Sequence, residues 1–327
     1  MNQTLTVFSP AKVNLHLSIG AKRADGYHDA YSVMHALTLH DTVTVRCERE
    51  AEDAPIAVDV RCTTHGGVDE LSIASEDNIA YKAIMALADE FGLSDAGYRF
   101  TVHIDKHIPH AAGLGGGSSN AAAALLAACR VFGIDPDDER VFAVASKIGA
   151  DVPFFLRGGC AQLGGRGDVF ERDLAPMNAP VVLVRPDGGV STAAAYRAFD
   201  ESSGRADLQA QGVSAERAKD VQLYNNLAAA SETVMPELVE AKDWLQQQAG
   251  VARDAITGEP CVLLSGSGSA TFCVCESMNA AYAIVSAAKQ RGWWARSCSF
   301  TSAGARIVEG RVPGAARTNV GAVHKSW

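Results

Sequence analysis

Alternating apolar and polar positions predict several strands in the first third of the chain. Residues 98–105 alternate most regularly and predict a strand with one buried and one exposed face. Residues 5–20 also alternate, and Pro10 within them predicts two strands rather than one. Residues 40–48 predict another strand, and residues 24–28 (ADGYH) predict a turn before it.

A longer apolar spacing predicts three helices in the first half, over residues 75–92, about 119–132 and 135–149. Polar residues near the helix starts and glycines at the ends match the pattern of helix caps. The predicted N-caps of the first and third helices are Ser75 or Asp77, and Asp135. The predicted C-terminal stops are Gly92, Gly133 and Gly149.

The same pattern begins again after about residue 170. Strands are predicted at 181–186, 261–276 (two strands around a glycine turn) and 293–300. Helices are predicted at 192–200, 222–248 and 280–292, and a polar loop at 201–220.

This irregular alternation of strands and helices predicts an α+β fold with two domains rather than one parallel sheet. The predicted divisions are a first domain over residues 1–170, a second over 171–301, and a tail over 302–327.

Composition and charge narrow the function classes. The chain has 327 residues, is 47% hydrophobic and 20% charged, and carries a net charge of −9. This charge argues against nucleic-acid or anionic-membrane partners. A few local cations and backbone N–H groups could still hold a small phosphate ligand. The eight scattered cysteines predict reduced thiols, and the polar N-terminus predicts no secretory signal, so a cytoplasmic protein is expected.

A dense glycine cluster, PHAAGLGGGSS at residues 109–119, lies between a predicted strand and a predicted helix. Helix N-terminal N–H groups lack partners within the helix, and glycines let an anion approach them, so this order predicts a phosphate site. No Lys-Ser/Thr follows as in a Walker A loop, and Ser118 stands where a dinucleotide-binding fingerprint needs its third glycine. A flexible loop with a good helix cap remains the alternative. A second glycine turn at 265–271 is equally consistent with a plain hairpin.

Three segments in order resemble the GHMP superfamily of small-molecule kinases. They are PAKVNLHL (10–17), PHAAGLGGGSSNAAAAL (109–125) and LSGSGSATF (264–272). Further strings resemble the branch of this superfamily whose acceptor alcohol is linked to cytidine diphosphate. They are KRADGYHDAYSVMHALTLHDTV (22–43), GADVPFF (149–155) and RPDGGVSTAAAYRAFD (185–200).

The resemblance implies a ribosomal-S5-like N-terminal domain, a ferredoxin-like C-terminal domain and a site between them. It also implies ATP and Mg²⁺, with metal ligands unassigned, and Asn78 and Lys106 near the nucleotide base. The residues implied to hold the ATP phosphates are Pro109, His110, Ala111, Ala112, Gly113, Leu114, Gly115, Gly116, Gly117, Ser118 and Ser119.

The resemblance further implies two catalytic residues. Asp151 would accept the proton of the attacking hydroxyl or orient it, and Lys12 would assist. Taken alone, Asp151 could be a surface or capping residue, and Lys12 a lysine that extends to solvent. The residues implied to bind the cytidine diphosphate-linked substrate are Asn14, Tyr27, His28 and Thr192.

Two alternative functions stay open at this point. One is a kinase of the same superfamily for a sugar, homoserine or mevalonate, which would have no use for a base-recognising group. The other is a non-catalytic nucleotide-binding regulator on the same fold, which would have lost the catalytic pair. For the kinase implied by the resemblance, the expected partner is a small-molecule substrate linked to cytidine diphosphate, with no nucleic acid or membrane, and the chain is expected to be a monomer or homodimer.

Overall fold

The chain folds around two β-sheets that share part of their apolar core. A computed structural model describes residues 2–51, 53–203, 215–255 and 257–308. The larger sheet has eight strands and the smaller sheet has four. The predicted α+β class agrees with this arrangement.

The larger sheet is built mainly from the first half of the chain. Its strands there are β1 (Gln3–Lys22), β2 (His28–Arg49), β3 (Ala57–Thr64), β4 (Tyr98–Lys106), β5 (Cys160–Gly164) and β6 (Val169–Leu174). β1 and β2 form one long antiparallel pair, β4 lies between β2 and β3, and β5 pairs with β2 and β6.

The predicted break of the first strand at Pro10 is wrong. β1 continues through this residue, which pairs with His40, and the register shifts between Pro10 and Lys12. A local irregularity of this kind accommodates proline, which cannot donate a ladder hydrogen bond, without ending the strand.

Four helices follow in the first half: α1 (Ile79–Glu90), α2 (Gly116–Phe132), α3 (Glu139–Ile148) and α4 (Val152–Arg157). Their predicted ends are confirmed at Gly92, Gly133 and Gly149, which directly follow or cap the last turns.

The predicted helix starts need correction. α1 is capped by Asn78, because Ser75–Asp77 form a separate 3₁₀ turn, and α3 is capped by Asp138 rather than Asp135. α2 begins three residues before the predicted Ser119, directly after Gly115. In each case several polar or glycine residues competed for the cap, and propensity alone does not choose among them.

The second half contributes α5 (Thr192–Ser203), α6 (Ala228–Val234), α7 (Glu237–Gln246) and α8 (Met278–Gln290). Its strands are β7 (Pro180–Arg185), β8 (Tyr224–Asn225), β9 (Val262–Leu264), β10 (Thr271–Val274), β11 (Trp294–Ser299) and β12 (Arg306–Val308). The smaller sheet is antiparallel with the order β11-β7-β10-β9. The single helix predicted over 222–248 is two helices, because Pro236 separates α6 from α7.

Two strands from the second half join the larger sheet. β8 pairs with β1 in parallel, and β12 pairs with β1 in antiparallel fashion. β12 lies in the segment predicted as a tail. Residues 309–327 of that segment and 204–214 of the predicted polar loop lie outside the described residues. The division into domains at residue 170 stays a prediction.

One apolar cluster connects the two sheets. It joins Val13 and Leu15 of β1 with Leu183 of β7 and Phe272 of β10, all fully buried. Leu114, from the glycine-rich loop, is buried in the same cluster. The loop is therefore fixed to the core where the two sheets meet.

All eight cysteines are free thiols, and six of them are buried. Within the described residues, no helix is both long enough and apolar enough to cross a lipid bilayer.

Candidate active site

A cavity of about 590 Å³ opens where the glycine-rich loop, β1 and α5 come together. Its volume is typical of small-molecule pockets. The predicted site residues that line it are Lys12, Asn14, Asn78, Lys106, Pro109, His110, Ala111, Ala112, Gly113, Leu114, Gly115, Gly116, Gly117, Ser118, Asp151 and Thr192. Positions from most of the chain length therefore meet at one place.

Two glycines of the loop are required by both backbone angle and space. Gly113 and Gly115 have φ of 73° and 70°, in the left-handed region. A Cβ at Gly113 would lie 1.9 Å from the Ser265 carbonyl oxygen, and one at Gly115 would lie 2.6 Å from Phe155 Cζ. Any side chain at either position would displace the loop.

The second glycine turn holds the loop through its backbone. The amide of Ala270 donates to the Ala112 carbonyl at 3.0 Å, and the Ser265 hydroxyl donates to the Gly113 carbonyl at 2.9 Å. Gly266 and Ser267 of this turn also line the cavity. The sequence pattern of this turn was equally consistent with a plain hairpin. The structure shows that the turn is part of the candidate site.

The loop leads directly into α2, whose N-cap is Gly115. No side chain caps this end of the helix, so the first amides of α2 stay available for an anion at the cavity wall. Ser118 lies in this first turn and lines the cavity. Ser119 does not reach the cavity, because it is fully buried and its hydroxyl accepts from Ser9 Oγ at 2.8 Å.

Lys106 takes part in a buried polar network beneath the loop. Its Nζ lies 2.5 Å from Asp41 Oδ2 and 3.0 Å from Asn120 Oδ1. The other Asp41 oxygen accepts the amides of His107 (2.7 Å) and Ile108 (2.9 Å). Asp41 is fully buried and Lys106 is 4% exposed, so this charge pair fixes the entrance of the loop.

Asn78 also has a structural role besides lining the cavity. Its Oδ1 accepts the amide of Ala80 at 3.0 Å and so caps α1, which packs against α2. Its carboxamide nitrogen lies 3.8 Å from Cys62 Sγ, on the same wall.

The predicted catalytic pair is brought together. Lys12 Nζ lies 3.6 Å from Asp151 Oδ2 and donates to Asn14 Oδ1 at 2.6 Å. The Lys12 side chain is 5% exposed and that of Asp151 is 28% exposed. Burial lowers the pKa of the Lys12 ammonium below its usual value, and the Asp151 carboxylate offsets part of that shift.

Asp151 stands at the N-terminus of α4, yet its side chain does not cap that helix. Pro153 lies in the first turn of α4, where proline is well tolerated because the helix needs no N–H donor there. A carboxylate that is partly exposed and not used for capping remains available to a ligand in the cavity.

Asn14 is held by its neighbours on β1 and β2. Its Nδ2 donates to Ser32 Oγ at 2.8 Å, and that hydroxyl donates to the His16 carbonyl. Thr192, the first residue of α5, lies 3.1 Å from Ser267 through their hydroxyl oxygens. These two contacts fix the polar side chains of Asn14 and Thr192 on the cavity wall.

His28 does not line the cavity as a free base-recognising group. Its Nδ1 lies 2.9 Å from the Gly20 carbonyl and its Nε2 lies 3.1 Å from Asp200 Oδ1. The ring packs on Tyr196, which does line the cavity. Tyr27, 55% exposed, lies outside the lining residues.

The cavity wall carries few groups suited to a divalent cation. Asp77 and Asp151 are its carboxylates, and the described residues contain no group of three or more His, Cys, Asp or Glu side chains arranged for a metal. Such a wall fits an Mg²⁺ ion that keeps waters and is held partly by a ligand's own phosphates.

The sequence analysis missed several residues at the site. Asp41 and Asn120 support the loop, Ser32 orients Asn14, and Tyr196 and Arg166 line the cavity. Asp41, Asn120, Ser32 and Tyr196 lie inside segments already quoted for the resemblance, whereas Arg166 lies outside all of them. The one signal for Tyr196 was its position one helical turn after Thr192.

Comparisons with known proteins give the same family at three levels. The family model of the GHMP kinases N terminal domain matches residues 78–159. A 4-diphosphocytidyl-2-C-methyl-D-erythritol kinase from Desulfitobacterium hafniense is 34% identical over 295 residues, covering 88% of this chain and 92% of that protein. One from Nocardioides sp. is 37% identical over 272 residues, covering 79% of this chain and 88% of that protein.

Solved structures agree. The crystal structure of a 4-(cytidine 5'-diphospho)-2C-methyl-D-erythritol kinase has a TM-score of 0.68 at 29% identity, covering 92% of this chain and 99% of that one. A homoserine kinase from Cytophaga hutchinsonii has a TM-score of 0.64 at 17% identity, covering 93% and 97%, which is a likeness of fold. The predicted resemblance and fold are confirmed, and the chain belongs to the 4-diphosphocytidyl-2-C-methyl-D-erythritol kinases, a family of small-molecule kinases within the GHMP kinases.

Proposed function

We propose that the protein transfers the γ-phosphate of ATP to the 2-hydroxyl of 4-diphosphocytidyl-2-C-methyl-D-erythritol, giving the 2-phosphate and ADP. This step belongs to non-mevalonate isoprenoid precursor biosynthesis. The observation that supports it most is the Lys12–Asp151 pair, 3.6 Å apart, on the wall of the same cavity as the glycine-rich loop. The identity of the acceptor is inferred from the names of the similar proteins.

The loop from Pro109 to Ser118 would hold the ATP phosphates. The first amides of α2 and the positive end of its dipole would bind phosphate oxygens. The narrow space around Gly113 and Gly115 would keep these amides in place before ATP arrives. Lys106 and Asn78 would lie near the base and act through the loop and α1 that they support.

Mg²⁺, when bound, would neutralise charge on the transferred phosphoryl group. The Ser118 hydroxyl, on the cavity wall, would hold it together with the phosphates of ATP and bound waters. The expected donors are hard oxygens, which suits this ion.

Lys12 and Asp151 would act on the acceptor hydroxyl. As the hydroxyl oxygen bonds to the γ-phosphorus, the bond to the ADP oxygen breaks and the hydroxyl proton passes to the Asp151 carboxylate. The Lys12 ammonium would stabilise the negative charge that develops on the transferring phosphoryl group, and Asp151 would also orient the hydroxyl for attack.

Asn14, Thr192, Tyr27 and His28 would bind the acceptor. Asn14 and Thr192 already line the cavity and are held by Ser32 and Ser267. In this proposal Tyr27 offers a stacking face for cytosine. His28 would act at the base only by exchanging its Asp200 contact for the ligand.

The test is a turnover assay with a panel of acceptors. ADP release is measured with ATP, Mg²⁺ and, separately, 4-diphosphocytidyl-2-C-methyl-D-erythritol, mevalonate or homoserine. The proposal expects turnover only with the cytidylated acceptor, because only that acceptor carries a base for Tyr27 and His28 to bind. Turnover with mevalonate or homoserine would show that the proposed acceptor is wrong. Binding of ATP without turnover of any acceptor would favour a non-catalytic regulator.

A further inference from the structure

The charges on the cavity wall leave one cation without an assigned task. Lys12, Lys106 and Arg166 are the lysines and arginines among the described residues that line it. Lys106 is buried and paired with Asp41, and Lys12 is buried and faces Asp151. The Arg166 side chain is 40% exposed. It is therefore the cation of this wall that is most open to a ligand.

Arg166 is held on a tight turn between β5 and β6. Gly165 and Gly167 on either side of it have φ of 65° and 88°. The Ala30 amide donates to the Gly165 carbonyl at 2.8 Å, which attaches the turn to the start of β2. The Arg166 amide donates to Asp168 Oδ1 at 3.0 Å. The backbone that carries the guanidinium is thus fixed.

The guanidinium is oriented on two sides. Asp168 Oδ2 accepts from Nη2 at 2.9 Å and from Nε at 3.3 Å. The guanidinium carbon lies 4.9 Å from the centre of the Tyr27 ring, which places it over that ring. Asp168 uses the Nε–Nη2 edge in these bonds and not the Nη1 edge.

The position of Arg166 along β2 separates it from the nucleotide end. Ala30, which anchors the turn, and Asp41, which anchors Lys106, are separated along β2 by roughly 36 Å of extended strand. Arg166 therefore belongs to the end of the cavity near Tyr27, away from the pair beneath the glycine-rich loop.

We propose that Arg166 binds the diphosphate of the acceptor and that Asp168 is its positioning residue. The proposal rests on the proposed function, because it assumes an acceptor whose base and alcohol are joined by a diphosphate. Guanidinium binds phosphate through parallel N–H bonds and stacks on aromatic rings, so one side chain can contact the Tyr27 ring and still present N–H groups to the diphosphate. Asp168 selects the guanidinium edge that faces the ligand.

Arg140 provides a matched control. Like Arg166, it donates to a carboxylate two residues away in the chain, here that of Asp138, through Nη2 (2.8 Å) and Nε (3.2 Å). Its guanidinium also lies over an aromatic ring, Phe91, at 4.0 Å, and its side chain is 55% exposed. Arg140 does not line the cavity. Loss of a stacked, carboxylate-paired arginine can thus be separated from loss of a ligand contact.

The test compares two ligands that differ only in the diphosphate. Binding of CDP and of cytidine is measured by calorimetry with the nucleotide site filled by a non-hydrolysable ATP analogue. Arg166→Ala should weaken CDP at least about tenfold and cytidine by less than about twofold, because a charged contact to phosphate is lost. Arg166→Lys should retain part of the CDP affinity, and Arg140→Ala should bind both ligands as the unchanged protein does.

The kinetic counterpart uses the cytidylated acceptor. Arg166→Ala should raise its KM by about tenfold and leave the KM of ATP within about twofold. Asp168→Asn should raise the acceptor KM less, since the guanidinium stays but is oriented less well.

Three results would overturn the assignment. Equal losses of CDP and cytidine would make Arg166 a support for the base, and an unchanged CDP affinity would remove it from the site. If Arg166→Ala raised only the KM of ATP, Arg166 would be a residue that binds the nucleotide rather than the acceptor. If the unchanged protein bound neither CDP nor cytidine, the proposed acceptor itself would be wrong, and the assignment would fall with it.

Discussion

Two lysine–aspartate pairs flank the glycine-rich loop, and they differ in how completely the protein buries them and fills their hydrogen bonds. The Lys106–Asp41 pair is 2.5 Å apart, with side chains 5% and 0% exposed, and Asn120 bonds to both partners. The Lys12–Asp151 pair is 3.6 Å apart, and its carboxylate is 28% exposed to the cavity. The first pair is closed by the protein and the second is open to a ligand.

This difference separates support from chemistry. Asp41 has its hydrogen-bonding capacity filled by protein groups, including two amides at the loop entrance, so it can do little besides hold the backbone. Asp151 neither caps its helix nor forms a short ion pair. A buried ammonium beside such a carboxylate is the arrangement expected where a proton and a phosphoryl group are transferred.

Of the substitutions that test this comparison, replacement of Lys12 should have the largest effect, and that effect should be on kcat. Lys12→Met should lower kcat by about 10³-fold, roughly 4 kcal/mol, because the charge that stabilises the transferring group is lost. The unfolding free energy should fall little, since removing the ammonium also removes its burial penalty. Initial rates and urea denaturation measure the two quantities.

The matched control is Lys147→Met. Lys147 also lies 3.6 Å from a carboxylate, that of Glu90, but its side chain is 71% exposed and outside the cavity. Its replacement should leave kcat unchanged. A loss of kcat in Lys12→Met below about tenfold would place this lysine among the supporting residues.

The opposite pattern is expected for the closed pair. Asp41→Asn should lower the unfolding free energy by about 3–5 kcal/mol, because it leaves the buried Lys106 ammonium without a counter-charge. Adding Lys106→Met should restore part of this loss. Asp59→Asn, in an exposed pair with Arg61, should change stability by less than about 1 kcal/mol. Equal effects of Asp41→Asn and Asp59→Asn would contradict the structural role of the closed pair.

The pH dependence of kcat should show a smaller effect of Lys12. Because burial lowers the pKa of Lys12, kcat should fall at alkaline pH before an ordinary lysine would titrate, as the ammonium loses its proton. Tyr196, which also faces this region, has a pKa raised to about 12 by burial, so it stays protonated over that range. In Lys12→Arg the alkaline fall should disappear, since guanidinium remains charged. An identical fall in both proteins would assign it to another group.

Much of the fold could be predicted from sequence, for identifiable reasons. The strand at 98–105 and the helix ends at Gly92, Gly133 and Gly149 depend on local pattern, and local pattern predicted them. The continuity of β1 through Pro10 depends on its pairing with β2, which no local signal carries.

The site divides in the same way. The glycine-rich loop and the helix after it are contiguous, so their order alone predicted an anion site. Arg166, Asp41 and Tyr196 come from separate segments and reach the site only through tertiary packing. His28 illustrates the limit most clearly, because its contact with Asp200 joins positions far apart in the chain.

The most direct test of the central claim is single-turnover phosphoryl transfer in Asp151→Asn, followed by phosphorus NMR. With enzyme in excess over the cytidylated acceptor, we predict that the 2-phosphate forms at least about 10²-fold more slowly, while the affinities for ATP and the acceptor stay within about twofold. Transfer at the unchanged rate, or a rate loss explained wholly by weaker binding, would contradict the claim that the open pair is where the phosphate is transferred.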